Sequence, residues 1–151
     1  MPLQTLITAL VGAIFGALGT LGVGLFIQRS QFRRQARNAT RAVYIELEMN
    51  RLNIAMARDY GAHLPLSRAA FEQLLPELAT WLKAADLRLV AAAYMSHAGY
   101  EQVRAAPDMP PEMRAEALSG ILGAHDAALD LLGSLVFSRS ERRPKSGEGA
   151  L

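Results

Sequence analysis

Met1 to Gln28 form an unbroken stretch without one charged side chain, and Arg29, Arg33, Arg34, Arg37 and Arg41 follow with no acid among them. Crossing about 30 Å of hydrocarbon takes roughly 20 apolar residues in a helix, so this run predicts a transmembrane anchor over residues 1–28. Positive charge beside a span stays cytoplasmic, which places the N-terminus outside and the rest of the chain in the cytosol. The expected host is the bacterial inner membrane. A cleaved signal peptide fits less well. The leader Met-Pro-Leu-Gln-Thr carries no base, the run exceeds the usual apolar core of about 7–15 residues, and arginines stand where a cleavage site belongs.

Gly12, Gly16, Thr20 and Gly24 recur every fourth residue, with Ala9, Ala13 and Ala17 beside them. Ile7, Ile14, Leu18, Leu21 and Leu25 gather on the other side of the same helix. A flat face lets backbones approach, so this pattern predicts self-association or docking on another membrane helix. The plainer reading is that Gly and Ala are frequent in membrane helices. Arg29, Arg33, Arg37 and Arg41 are also four apart, a spacing that stacks like charges at a cost of a few tenths of a kcal/mol per pair. Anionic headgroups offset that repulsion at roughly 1 kcal/mol for each base near the surface. Together with Arg34, these residues read as a topology signal or a headgroup contact.

The net charge of +2 hides an asymmetry: residues 29–43 sum to +5, 44–138 to −5, and the tail from 139 to +2. An acidic domain makes a poor general nucleic-acid binder, since affinity there comes chiefly from neutralising phosphates, so no nucleic-acid partner is expected. Cysteine is absent, so disulfides, thiolate nucleophiles and cysteine-based zinc sites are excluded together.

No Gly or Pro interrupts residues 25–60, which predicts one long helix ending at Tyr60-Gly61 with Ile45, Met49, Leu52 and Met56 inward. Ser67 reads as the cap of a second helix carrying Phe71, Leu74, Leu78 and Leu82, with Pro76 as a kink. Asp86 reads as the cap of a third, with Leu87, Val90, Ala91, Tyr94 and Ala98 inward. Pro110 and Pro111 open a fourth that buries Met113, Ala117, Ile121, Ala124, Ala128, Leu132 and Leu135. The fold class is therefore all-α, an antiparallel helical bundle of four helices near 30–60, 67–83, 86–105 and 111–137. Three long helices result instead if Pro76 opens one that runs to 105. With four, the last returns alongside the first towards the arginine row. The expected organisation is an anchor over 1–28, a basic juxtamembrane helix over 29–43, the bundle over 44–137 and a disordered basic tail over 138–151.

The sequence offers no catalytic, cofactor-binding or metal-ligating set. Glu-x-x-His, the helical di-iron pattern, does not occur. His97 with Glu101 and Asp126 with Asp130 read as surface pairs, and His125 as partly buried. The sharpest polar cluster is Glu46, Asn50 and Asn53 on one side of the first helix. There carboxylate and amides can bridge neighbouring helix ends or, alternatively, line a small polar site.

Glu46, Leu47 and Asn50, followed by Ala70, Phe71 and Glu72 and then by Tyr94, resemble a broad set of uncharacterised bacterial single-pass membrane proteins. These have an anchor, a basic stretch, a Glu-Leu-x-x-Asn helix and an Ala-aromatic-Glu helix, often with Trp where this chain has Phe71. The resemblance implies an anchored helical domain and no activity. The expected function is non-enzymatic: an inner-membrane protein whose bundle mediates assembly or partner binding. Its expected partners are a bilayer with anionic headgroups and a homo-oligomer or membrane protein, with no nucleic acid and no cofactor. The alternatives are a membrane-anchored enzyme or ligand sensor with a polar pocket near Glu46 and Asn50, and a phage-type membrane-active oligomer.

Overall fold

The computed structural model describes the backbone of residues 3–137 and the side chains of residues 24–137. Regular structure among them is entirely helical: α1 (Leu3–Tyr60), α2 (Ala69–Trp81), α3 (Ala84–Met95), α4 (His97–Ala105) and α5 (Pro111–Val136). The chain divides into two units, residues 1–35 and 36–151. The first holds the N-terminal part of α1, where Leu25, Phe26, Ile27, Arg29, Phe32, Arg33 and Arg34 are exposed. A Cβ built at Gly24 meets nothing within 4 Å. Gly12, Gly16 and Thr20, and the anchor expected over 1–28 apart from its last five residues, lie outside the described side chains, as does the tail from 138. Among the described residues no helix is long and apolar enough to cross a membrane.

The second unit is the bundle. α1 ends where the sequence places a stop. Gly61 takes φ +70°, and the N–H groups of Gly61 and Ala62 bond back to Ala57 O and Met56 O at 3.0 and 3.3 Å, closing the helix end. Pro76 lies inside α2, so it does not open a new helix. The chain instead breaks at Leu82 and Lys83, both extended, which removes the three-helix alternative. Asp86 falls in the first turn of α3 rather than at its cap, which is Lys83. There its charge still complements the helix dipole. The third expected helix is divided at Ser96, whose Oγ donates to Ala93 O at 2.6 Å. Backbone bonds from Ser96 N–H to Ala92 O and from Tyr100 N–H to Ser96 O carry the ladder across the break, so α3 and α4 act as one member of a four-membered bundle. Pro111 opens α5 at a position where its missing N–H costs no bond.

Two apolar clusters set the packing. One joins Val43 and Leu47 of α1 to Phe71, Leu78 and Leu82, to Val90, Ala93 and Tyr94, and to Ala128 and Leu132. The other joins Ile54 and Ala57 to Tyr100 and Val103 and to Leu118, Ile121 and Leu122. Moving along α1 towards its C-terminus meets α5 in descending order and α3–α4 in ascending order. α5 is therefore antiparallel to both, as up-and-down connectivity requires.

The buried row of α1 is Ala36, Ala39, Thr40, Val43, Leu47, Asn50, Ile54 and Ala57. This corrects the expected inward row. Ile45, Met49, Leu52 and Met56 are 59, 56, 50 and 42 % exposed, and at 100° per residue they lie on the opposite side. The core also begins at Ala36, inside the segment expected to be only juxtamembrane. On α5, Met113 and Leu135 point to solvent, and Leu118, Leu122, His125 and Val136 are buried. Ala98 is exposed.

Candidate functional site

Residues 61–68 have no regular structure, so their backbone groups need partners from elsewhere. Side chains of the bundle supply them. Tyr100 Oη donates to Leu64 O at 2.8 Å, and Asn53 Nδ2 to Pro65 O at 3.2 Å. Asn50 Nδ2 donates to Ser67 O at 2.7 Å while its Oδ1 accepts the Ser67 N–H at 2.8 Å, so both ends of the amide are used. Glu46 Oε2 accepts from Ser67 Oγ at 2.7 Å and Ala70 N–H at 2.9 Å; Oε1 accepts from Phe71 N–H at 3.2 Å and Tyr94 Oη at 2.7 Å. The residue at the N-cap of α2 is Arg68, which makes no capping bond. Ser67, the expected cap, lies one residue earlier and donates to Glu46. A carboxylate from α1 thus caps α2 from across the bundle, where the helix dipole favours negative charge.

Burial pushes the Glu46 carboxyl up, but the bonds from Ser67, Ala70 N–H, Tyr94 and Phe71 N–H together outweigh it and hold the group below its ordinary value. Tyr94 moves the other way. Burial first, then its bond to the Glu46 carboxylate and that charge, push its phenol well above the usual range, so it stays a donor.

From Tyr94 a line of rings crosses the interior. Phe71 stacks on it at 4.3 Å between centroids, and His97 lies 5.3 Å from it. His97 and His125 stack with planes 9° apart, their Nε2 atoms 3.2 Å from each other. His125 Nδ1 faces Ile121 O at 3.0 Å and must donate, since a carbonyl only accepts. With His125 neutral, its Nε2 accepts, and His97 Nε2–H donates. That assignment leaves His97 Nδ1 as a buried lone pair without a partner. Both imidazoles are held neutral: burial, then His125 and Arg68, push His97 down to about 4, and burial lowers His125 despite the Ile121 bond and Asp126.

This network holds helices together. Each Glu46 oxygen already takes two donors, and the Asn50 amide is spent on Ser67. No group of three or more ligand-type side chains occurs among the described residues. The surface pairs read from sequence separate. His97 is buried while Glu101 pairs with Arg104 at 2.6 Å, and Asp126 pairs with Arg51 rather than standing by Asp130. The ring line from Tyr94 to His125 escaped sequence reasoning, although Tyr94, His97 and Tyr100 recur every third residue on one side of their helices. The arginine row divides as well. Arg37 donates to Val136 O through Nη2 at 2.7 Å and Nε at 3.3 Å, and Arg41 sits 6.0 Å from the Phe137 ring centre. These two close the C-terminal end of α5, where carbonyls lack helical partners and cations are favoured. Arg29, Arg33 and Arg34 are exposed in the other unit. No protein-family model, curated protein or solved structure matches this chain, so its functional reading rests on its own residues.

Proposed function

We propose that this chain is a non-enzymatic, membrane-anchored protein whose cytosolic helical bundle binds a protein partner. The anchor reading rests on the uncharged run to Gln28 and the arginines after it. Partner binding rests on one observation: Ile45, Met49, Leu52 and Met56 form a continuous exposed apolar row on a helix whose other side is fully packed. Scattered exposed apolar residues are ordinary, whereas a contiguous row marks an interaction surface. The Glu46 carboxylate and the Asn50 amide argue against the ligand-sensor alternative, because both ends of each already bond within the bundle.

Two measurements test this reading. A reporter fused after Leu151 is expected to be active in the cytoplasm, and periplasmic activity overturns the orientation. A photo-reactive phenylalanine analogue at position 49 is expected to form protein adducts in native membranes that the same probe at exposed Arg88 on α3 does not. Equal adduct yields at the two positions overturn the binding face.

A further inference from the structure

The five arginines after the uncharged run fall into two groups. Arg37 and Arg41 belong to the bundle and are engaged there, Arg37 with Val136 O and Arg41 beside the Phe137 ring. Arg29, Arg33 and Arg34 are exposed, and none of them has an ion pair among the described residues. No acid occurs in the sequence before Glu46, about 26 Å further along the helix than Arg29, so no neighbour on this stretch neutralises them. We propose that Arg29, Arg33 and Arg34, with Phe26 and Phe32, form a binding surface for anionic lipid headgroups, and that Arg37 and Arg41 take no part in it. The inference rests on the anchor reading and adds the class of lipid and the residues that meet it.

Three observations favour a lipid surface over other acidic partners. The first is position. Arg29 follows the uncharged run directly, and Arg34 lies about 7.5 Å beyond it along the helix, within the roughly 8 Å over which a charged surface acts at physiological salt. Arg37 and Arg41 lie about 12 and 18 Å beyond Arg29, out of that reach as well as engaged elsewhere. The second is composition. At 100° per residue Leu25, Phe26, Arg29, Phe32 and Arg33 fall within about 120° of arc, and all five are exposed, Phe26 at 75 %. Apolar rings interleaved with long cationic side chains suit the boundary between acyl chains and headgroups, where the ring sits at headgroup level and the guanidinium reaches phosphate. The third is spacing. Arg29 and Arg33 stack four apart and repel, and a fluid layer of phosphates can set an anion beside each guanidinium.

The test uses the full-length protein in nanodiscs of phosphatidylcholine with a minor share of phosphatidylglycerol, released in mild detergent, with the lipid still bound to it identified by mass. Each base near an anionic surface favours contact by about fivefold, so bound phosphatidylglycerol is expected at least about threefold above its share in the bilayer. The triple variant Arg29→Gln, Arg33→Gln and Arg34→Gln should lose the enrichment. Lys at the same three positions should keep it, because the charge is retained, and Arg37→Gln with Arg41→Gln should leave it unchanged. No enrichment in the wild-type protein, or equal loss in the two glutamine variants, overturns the proposal. A photo-reactive phenylalanine analogue at position 32 is expected to give lipid adducts in native membranes; protein adducts alone make an acidic protein the occupant and overturn the lipid surface. Alkaline carbonate extraction separates this proposal from the anchor reading. Retention in the membrane pellet without lipid enrichment overturns the headgroup site and keeps the anchor, whereas release into the supernatant overturns both.

Discussion

Over residues 36–57 the two sides of α1 carry apolar rows at similar spacing, yet one is sealed and the other half open. The sealed row is small at its start, with Ala36, Ala39 and Thr40, and larger further on, with Val43, Leu47 and Ile54. Small residues at that end admit the close of α5, where Arg37 reaches Val136 O. The open row has only large flexible side chains, three of its four being Met or Leu. Flanking polarity also differs. Asn50 within the sealed row, with Glu46 and Asn53 beside it, binds segment 61–68. Apolar spacing is thus common to both rows, and packing size with polar neighbours selects between them.

The contrast can be broken most directly by truncation. Leu47→Ala should destabilise the bundle by about 2–5 kcal/mol, read as a fall in the urea midpoint at unchanged slope; a smaller loss than for Leu52→Ala would reverse the assignment of faces. Glu46→Ala strands four donors, including the Ala70 and Phe71 N–H groups in the first turn of α2, and should cost about 2–4 kcal/mol in thermal unfolding. Amide exchange over residues 61–71 should accelerate before that of α5.

Acid sharpens the same contrast, since the groups of the network that titrate in acid, Glu46, His97 and His125, belong to the packed interior and not to the open row. His97 has a folded value of about 4 against 6.5 unfolded, so between those pH values the unfolded chain binds more protons and stability falls as pH falls. The slope approaches about 1.4 kcal/mol per pH unit, for a total near 3 kcal/mol from His97, and His125 adds to it in the same direction. Glu46, held below its ordinary value, contributes stability that is present above 4.5 and is lost as pH drops through its folded value. Urea titrations from pH 7 to 4 should therefore show falling midpoints, and the pair His97→Phe with His125→Leu should flatten the upper part of that profile. A flat wild-type profile would show that the imidazoles are not held neutral.

Smaller effects complete the series. Arg37→Ala removes two bonds to Val136 O and should cost about 0.5–1.5 kcal/mol, with faster amide exchange confined to the last turn of α5. Leu52→Ala on the open row should change stability by no more than about 0.5 kcal/mol. A loss of several kcal/mol there would mean that the row is already covered.

Much of the architecture was legible in the residues. Gly61 ends α1, Pro110 and Pro111 open α5, and Phe71, Leu78, Val90, Tyr94, Ala128 and Leu132 are core in both readings. Ile45 to Met56 and Met113 with Leu135 read as inward because large apolar side chains at helical spacing mark a core, while the buried rows also take in Thr40, Asn50, His97 and His125, whose polar side chains carry no such signal. Glu46, Asn50 and Asn53 stood out as a cluster bordering one face, but their partners lie 12 to 25 residues downstream at most along segment 65–71, with Tyr94 further still. The two histidines lie 28 residues apart in sequence, so the spacing of Tyr94, His97 and Tyr100 marks one side of a helix but not the partner it meets.

By itself the sequence determined an all-helical chain, the places where helices stop, an uncharged N-terminal run and the switch to arginine after it. These are local matters of backbone chemistry, capping and charge. Only the tertiary structure decided which face of α1 is core, that Arg37 and Arg41 close α5, and that Glu46 caps a helix it does not belong to. Each of those depends on which atoms meet across helices, and the free energy of burying a side chain or satisfying a helix end belongs to the pair that meets rather than to either residue alone.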